Sequence, residues 1–132
     1  MRYDAFVAEV EHRTGLSEGE AAALGRATLR TLAERIPPGT AAGLAVALPD
    51  ELAGQLLGGR TPGAEEFDIC EFIGRVSERS GLDAPHSTYG ARVVFGLIHG
   101  MAARRAVDAV REALSCDLRV LFDAGSADRP AV

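Results

Sequence analysis

The chain has 132 residues and a mass of 13.8 kDa, enough for one domain with a real hydrophobic core. Its apolar share is 47% but only 5% of the residues are aromatic, and much of the remainder is alanine, which favours close-packed helices over a sheet. A net charge of −5 argues against the basic stripe that nucleic-acid binding needs, and no segment approaches the run of about 18 apolar residues that marks a membrane helix.

In chain order, Asp4 reads as a helix cap with Phe6, Val7 and Val10 at helical spacing behind it, and Gly15 is placed to end that helix. Ser17 and Glu20 form a capping box that opens a long helix to Ile36, stopped by Pro37, Pro38 and Gly39. Two short helices are expected next, one from Thr40 to Leu48 and one from Pro49 to Leu57. The segment 58–66 reads as a polar linker. Beyond it, Asp68 with Glu71 and Asp83 with Pro85 mark two further helix starts. Gly90, Gly96 and Gly100 fall inside the second of these helices, where each costs about 1 kcal/mol relative to alanine. They are expected to mark close helix contacts. A turn is expected near 101–105, Ser115 reads as the cap of the last helix, and the final segment, from Asp123 onward, reads as a largely disordered tail.

The two halves repeat one another at an offset of 66 residues. Phe6, Val7 and Val10 align with Phe72, Ile73 and Val76, and Leu29 and Leu32 with Phe95 and Ile98. Leu44, Leu48, Leu52 and Leu56 align with Val110, Leu114, Leu118 and Phe122, and no gap is needed. The expectation is an all-α bundle of two tandem half-repeats, about residues 3–59 and 67–125, each with two longer and two short helices. One copy is too thin to close a core, so the copies should face each other across a pseudo-two-fold. A single domain over residues 1–125 with a tail at 126–132 follows.

Tyr3-Asp4-Ala5-Phe6 near the start, the Arg-Thr/Ser-Gly-Leu motif at 13–16 and 79–82, and Ala-Leu-Pro-Asp-Glu-Leu at 47–52 give the chain a family likeness. It resembles a bacterial group catalogued as domain of unknown function 2267, small helical proteins with two half-repeats, over about residues 3–123. The second unit departs from the pattern, with Leu114-Ser115-Cys116-Asp117 where a Leu-Pro-acidic motif would stand. The resemblance implies the fold and brings no catalytic residues with it.

Few residues suggest chemistry. Arg26 and Arg92 are the one mid-helix charged pair kept by both halves. The structural reading pairs them with carboxylates such as Glu9 or Glu78; the functional one makes them contacts to an anion or a partner. Arg13 and Arg79, just before Gly15 and Gly81, read as charges matched to helix C-terminal dipoles. Cys116, in the first turn of the last helix, is the candidate for a reactive thiol, opposed by Asp117 beside it. His12, His86 and His99 lack metal-ligand spacing, and Cys70 and Cys116 read as free thiols. The expected function is a non-enzymatic module, without cofactor or metal, that binds a protein partner or itself in the cytoplasm. The alternatives are an anion or small-molecule binder using a cavity between the repeats, and a thiol redox protein centred on Cys116. Neither nucleic acid nor membrane is an expected partner.

Overall fold

A computed structural model describes residues 1–58 and 64–127. Among them are eight helices and no strand: α1 Tyr3–Thr14, α2 Glu18–Arg35, α3 Pro38–Ala45, α4 Asp50–Leu57, α5 Ile69–Ser80, α6 Ala84–Met101, α7 Arg104–Ala113 and α8 Cys116–Ala127. The starts of α5 to α8 each lie 66 residues beyond the starts of α1 to α4. All nine apolar pairs aligned above are buried on both sides. This is the pattern that two copies of one unit would leave.

Local chemistry sets the helix ends. At α2 the Ser17 hydroxyl accepts from the Glu20 N–H at 3.2 Å, and the Glu20 carboxylate accepts from the Ser17 N–H at 3.1 Å, a full capping box. Asp68 and Asp83 cap α5 and α6 through the N–H groups of Glu71 and His86. The box expected at Asp68 is half formed, because the Glu71 carboxylate turns to Arg75 instead, at 2.8 Å. Gly15 and Gly81 close α1 and α5 at φ 76° and 79°, a conformation that is easy for glycine and strained for other residues.

Several helix ends and one cap differ from expectation. The first helix begins at Tyr3, so Asp4 lies inside it and its carboxylate accepts from the Ala5 N–H. The short helix expected from Thr40 to Leu48 runs from Pro38 to Ala45; the missing N–H of Pro38 costs nothing in a first turn. Ser115 does not cap α8 with its side chain: its hydroxyl donates to Asp117, whose carboxylate accepts from the N–H groups of Leu118 and Ile69. The last helix continues through Ala127, so 123–127, expected as tail, is helical. Residues 59–63 of the linker and the tail residues 128–132 lie outside the described residues.

The extension of α8 has a packing cause. A Cβ on Gly125 would stand 2.2 Å from the Arg92 carbonyl and 2.5 Å from the Gly96 nitrogen, so α6 and α8 cross backbone against backbone. Across the molecule, α2 packs on α5 and α4, α6 on α8 and α5, α1 on α2 and α6, and α3 on α7. Much of the contact therefore runs between the halves. Phe72, Phe95 and Phe122 form a chain through the core, with ring centroids 5.9 and 5.1 Å apart. At the α2–α6 crossing, a Cβ on Gly90 would lie 2.2 Å from a Leu24 methyl. Residues 24 and 90 stand 66 apart in the chain, and a contact between such positions is consistent with a two-fold relation between the halves. The large–small pairing lets both helices approach there.

Candidate functional site

Arg26 and Arg92 line two clefts rather than one. The Arg26 cleft, about 280 Å³, is bounded by Ala23, Arg26, Ala27 and Arg30 of α2, Gln55 of α4 and Arg79 of α5. The Arg92 cleft, about 440 Å³, lies between α1 and α6 and includes Glu9, His12, Arg13, Tyr89, Arg92 and Gly125. The 66-residue offset carries Ala23, Arg26 and Ala27 onto Tyr89, Arg92 and Val93, and Arg79 back onto Arg13, so four lining positions are shared. Each cleft combines the long helix of one half with an arginine from the first helix of the other.

The clefts differ in charge and closure. In the second half α8 runs on and packs Gly125 against Gly96. In the first half α4 ends at Leu57, and the position matching Gly96 is Arg30, which is exposed. Ala23 and Ala27 keep the floor of the Arg26 cleft low, so Arg26, Arg30 and Arg79 stand around open space. In the other cleft Arg13 is neutralised by Glu9 at 2.8 Å, and the Tyr89 hydroxyl reaches the Arg13 carbonyl at 3.4 Å.

The carboxylate partner expected for Arg26 at Glu9 or Glu78 is not there. One Arg26 Nη donates instead to the Tyr3 hydroxyl at 3.1 Å, a neutral acceptor, because Glu9 is engaged by Arg13 on its own helix. Arg30 has no hydrogen-bond or ion-pair partner among the described residues. Arg79 does more than match a helix dipole. Its Nη1 donates to Glu34 Oε1 at 2.8 Å and to the Thr31 hydroxyl at 2.9 Å, and its Nη2 donates to Glu34 Oε2 at 2.7 Å.

Glu34 is the hub of a network that sequence reasoning missed. Arg75 also reaches it at 3.0 Å, while touching Glu71 at 2.8 Å and Glu65 at 3.3 Å and covering the Phe67 ring at 4.1 Å. Burial pushes the Glu34 carboxyl up, but hydrogen bonds from Arg79 and Arg75 outweigh it and hold the group below its ordinary range. The backbone joins in, with Ala64 and Glu65 N–H groups donating to the Ile36 and Glu34 carbonyls at 3.1 and 2.9 Å. The only sequence signal for this network was Arg75 and Arg79 one helical turn apart.

The other candidates stand apart. Cys116 opens α8 and Cys70 lies in the first turn of α5, both exposed as free thiols. Asp117, beside Cys116, is held below the usual carboxylate range, first by the Ser115 hydroxyl and then by the Ile69 N–H, so an anion adjoins the thiol. His86 contacts Asp83 at 2.6 Å within its cap, and His99 Nε2 donates to the Phe122 carbonyl at 3.0 Å. Among the described residues no group of three or more His, Cys, Asp or Glu side chains could hold a metal ion, and no helix is long and apolar enough to cross a membrane. A family model described as "uncharacterized conserved protein (DUF2267)" matches residues 3–121, and no curated protein matches the chain.

Proposed function

We propose that this chain, which belongs to the DUF2267 family, is a non-enzymatic binding module that docks on an acidic group through the Arg26 cleft. One observation carries the reading: three guanidinium groups from both halves surround one open cleft of about 280 Å³. In a chain with 19 acidic and 14 basic side chains, arginines left without carboxylates are not what pairing by abundance would leave. Arg26 and Arg30, at i and i+4 on one helix, repel one another by about 0.2–0.5 kcal/mol, a cost that an incoming anion removes. Guanidinium donors also match the oxygens of carboxylates and phosphates in geometry.

The test is a nuclear magnetic resonance titration of the labelled protein with acetate, citrate and inorganic phosphate at constant ionic strength. Saturable shifts are expected at Arg26, Arg30, Gln55 and Arg79, and should be lost in the Arg26→Ala/Arg30→Ala double variant. Small shifts scattered over the whole surface, unchanged by the double variant, would dispose of the cleft as a binding site.

A further inference from the structure

Resting on the reading of the cleft as an acid-binding site, the geometry points to a narrower ligand class. We infer that Arg79 is a preset fork for a phosphate monoester dianion, with Arg26 and Arg30 closing on its remaining terminal oxygen. A guanidinium has five N–H bonds in fixed directions. Glu34 takes the end edge of Arg79, one bond from each Nη, and Thr31 takes the second bond of Nη1. Thr31 is buried and its own hydroxyl hydrogen is committed to the Ala27 carbonyl at 2.8 Å, so only its lone pairs face Arg79. What is left on Arg79 is the Nε–H and one Nη2–H, the parallel pair along its side edge, with no acceptor among the described residues. That edge is the one that two oxygens of one oxyanion fit.

The choice of phosphate over carboxylate follows from oxygens and charge. A carboxylate has two oxygens and one charge, and the fork alone satisfies both. A phosphate monoester has three terminal oxygens and a charge of about −1.5 to −2 at neutral pH. It therefore keeps an oxygen for Arg26 and Arg30 after Arg79 is engaged. Three guanidiniums less the Glu34 carboxylate leave two positive charges around the cleft, which matches the dianion. The volume of about 280 Å³ suits a phosphoryl group on a small stalk. A net charge of −5 disfavours an anionic membrane surface, so the group belongs to a soluble ligand.

The test uses the intact protein in calorimetric titrations with orthophosphate, glycerol 3-phosphate and acetate at matched ionic strength, with phosphatidic-acid vesicles as a separate arm. Both soluble phosphates should bind at least about tenfold tighter than acetate, since each charge-assisted hydrogen bond added is worth about that factor. Arg79→Lys keeps the charge and removes the fork, and should weaken phosphate about tenfold. Glu34→Gln is the deciding variant. It deletes a negative charge, so bulk electrostatics predicts tighter phosphate binding, whereas a fork held in place by Glu34 predicts weaker binding. Melting curves check that each variant is folded; if Glu34→Gln is not, Thr31→Val takes an Arg79 acceptor away without changing the charge, so bulk electrostatics predicts unchanged phosphate binding and a held fork predicts weaker binding. Tighter or unchanged binding in Glu34→Gln, or acetate equal to phosphate, overturns the fork while leaving a general acid-binding cleft. No anion binding that depends on Arg26 and Arg30 overturns both readings. Binding to vesicles without binding to soluble phosphate overturns the ligand class.

Discussion

Glu34 has a side chain only 12% exposed and carries two arginines on its carboxylate. Its carboxyl is lowered in the folded protein, so the unfolded chain takes up the proton more readily. The stabilisation is fully present above the ordinary glutamate value of about 4.3 and is lost as pH falls through the lower folded value. Glu34→Gln should destabilise the protein by about 1–3 kcal/mol at neutral pH. The gap to the parent should narrow below the ordinary glutamate value; urea melts from pH 7 to 3 measure both, and a gap independent of pH would rule out the pair as its source. Cys116 should react with a thiol reagent no faster than an ordinary exposed cysteine, with Asp117 holding an anion beside it, and Cys116→Ser should fold normally. Labelling many-fold faster than a model peptide would revive the redox alternative. Caps such as Ser17–Glu20 and Gly15 were readable because partners lie within three or four residues. Glu34 with Arg75 and Arg79 was not, since those pairs are separated by 41 and 45 residues and only the fold brings them together.

Among the helices, glycine carries two opposite meanings that sequence alone blurs. Gly96 and Gly125 let α6 and α8 touch through their backbones, and neither neighbour can yield. Gly125→Ala should therefore cost about 1–3 kcal/mol. Gly74, exposed in the middle of α5, has nothing within 4 Å of a Cβ built there, so Gly74→Ala should stabilise by about 0.5–1 kcal/mol. Chemical denaturation of the two variants compares them directly; equal effects of the same sign would defeat the packing argument. Contacts at Gly90 and Gly96 agree with the expectation from sequence, whereas Gly100 is exposed. The end of α8 is not legible in sequence, because Ala124-Gly125-Ser126-Ala127 has the composition of a loop. What makes it helical is the α6 backbone it lies against, a tertiary effect with no local signature.

At the scale of the molecule, the 66-residue periodicity makes the fold class and the helix order legible in the sequence. It also located Arg26 and Arg92, but not the clefts, whose openness depends on where α4 and α8 end. The contact between Leu24 and its mate Gly90 offers a test of the two-fold relation. Leu24→Gly and Gly90→Leu should each be destabilising, by a cavity and by overpacking respectively. The double variant, which moves the leucine to the other side of the crossing, should recover much of the loss. Additive losses would place the pair away from any axis. Residues 1–62 expressed alone should show no cooperative thermal transition as a monomer, because α5 and α6 supply cover for α2 and α1. A sharp monomeric melt would make the first unit self-sufficient.

The cross-packing of α1 on α6 and α2 on α5 also sets a timetable at the ribosome. When α4 has been made, 44 further residues separate Leu57 from Met101, the end of α6. At about 5–20 residues per second, that interval is about 2–9 s. Until it ends, α1 and α2 lack part or all of the cover that α6 and α5 give them in the folded chain. The early half is thus a waiting surface during synthesis, and its vulnerability to wrong partners lasts as long as translation of the second half takes.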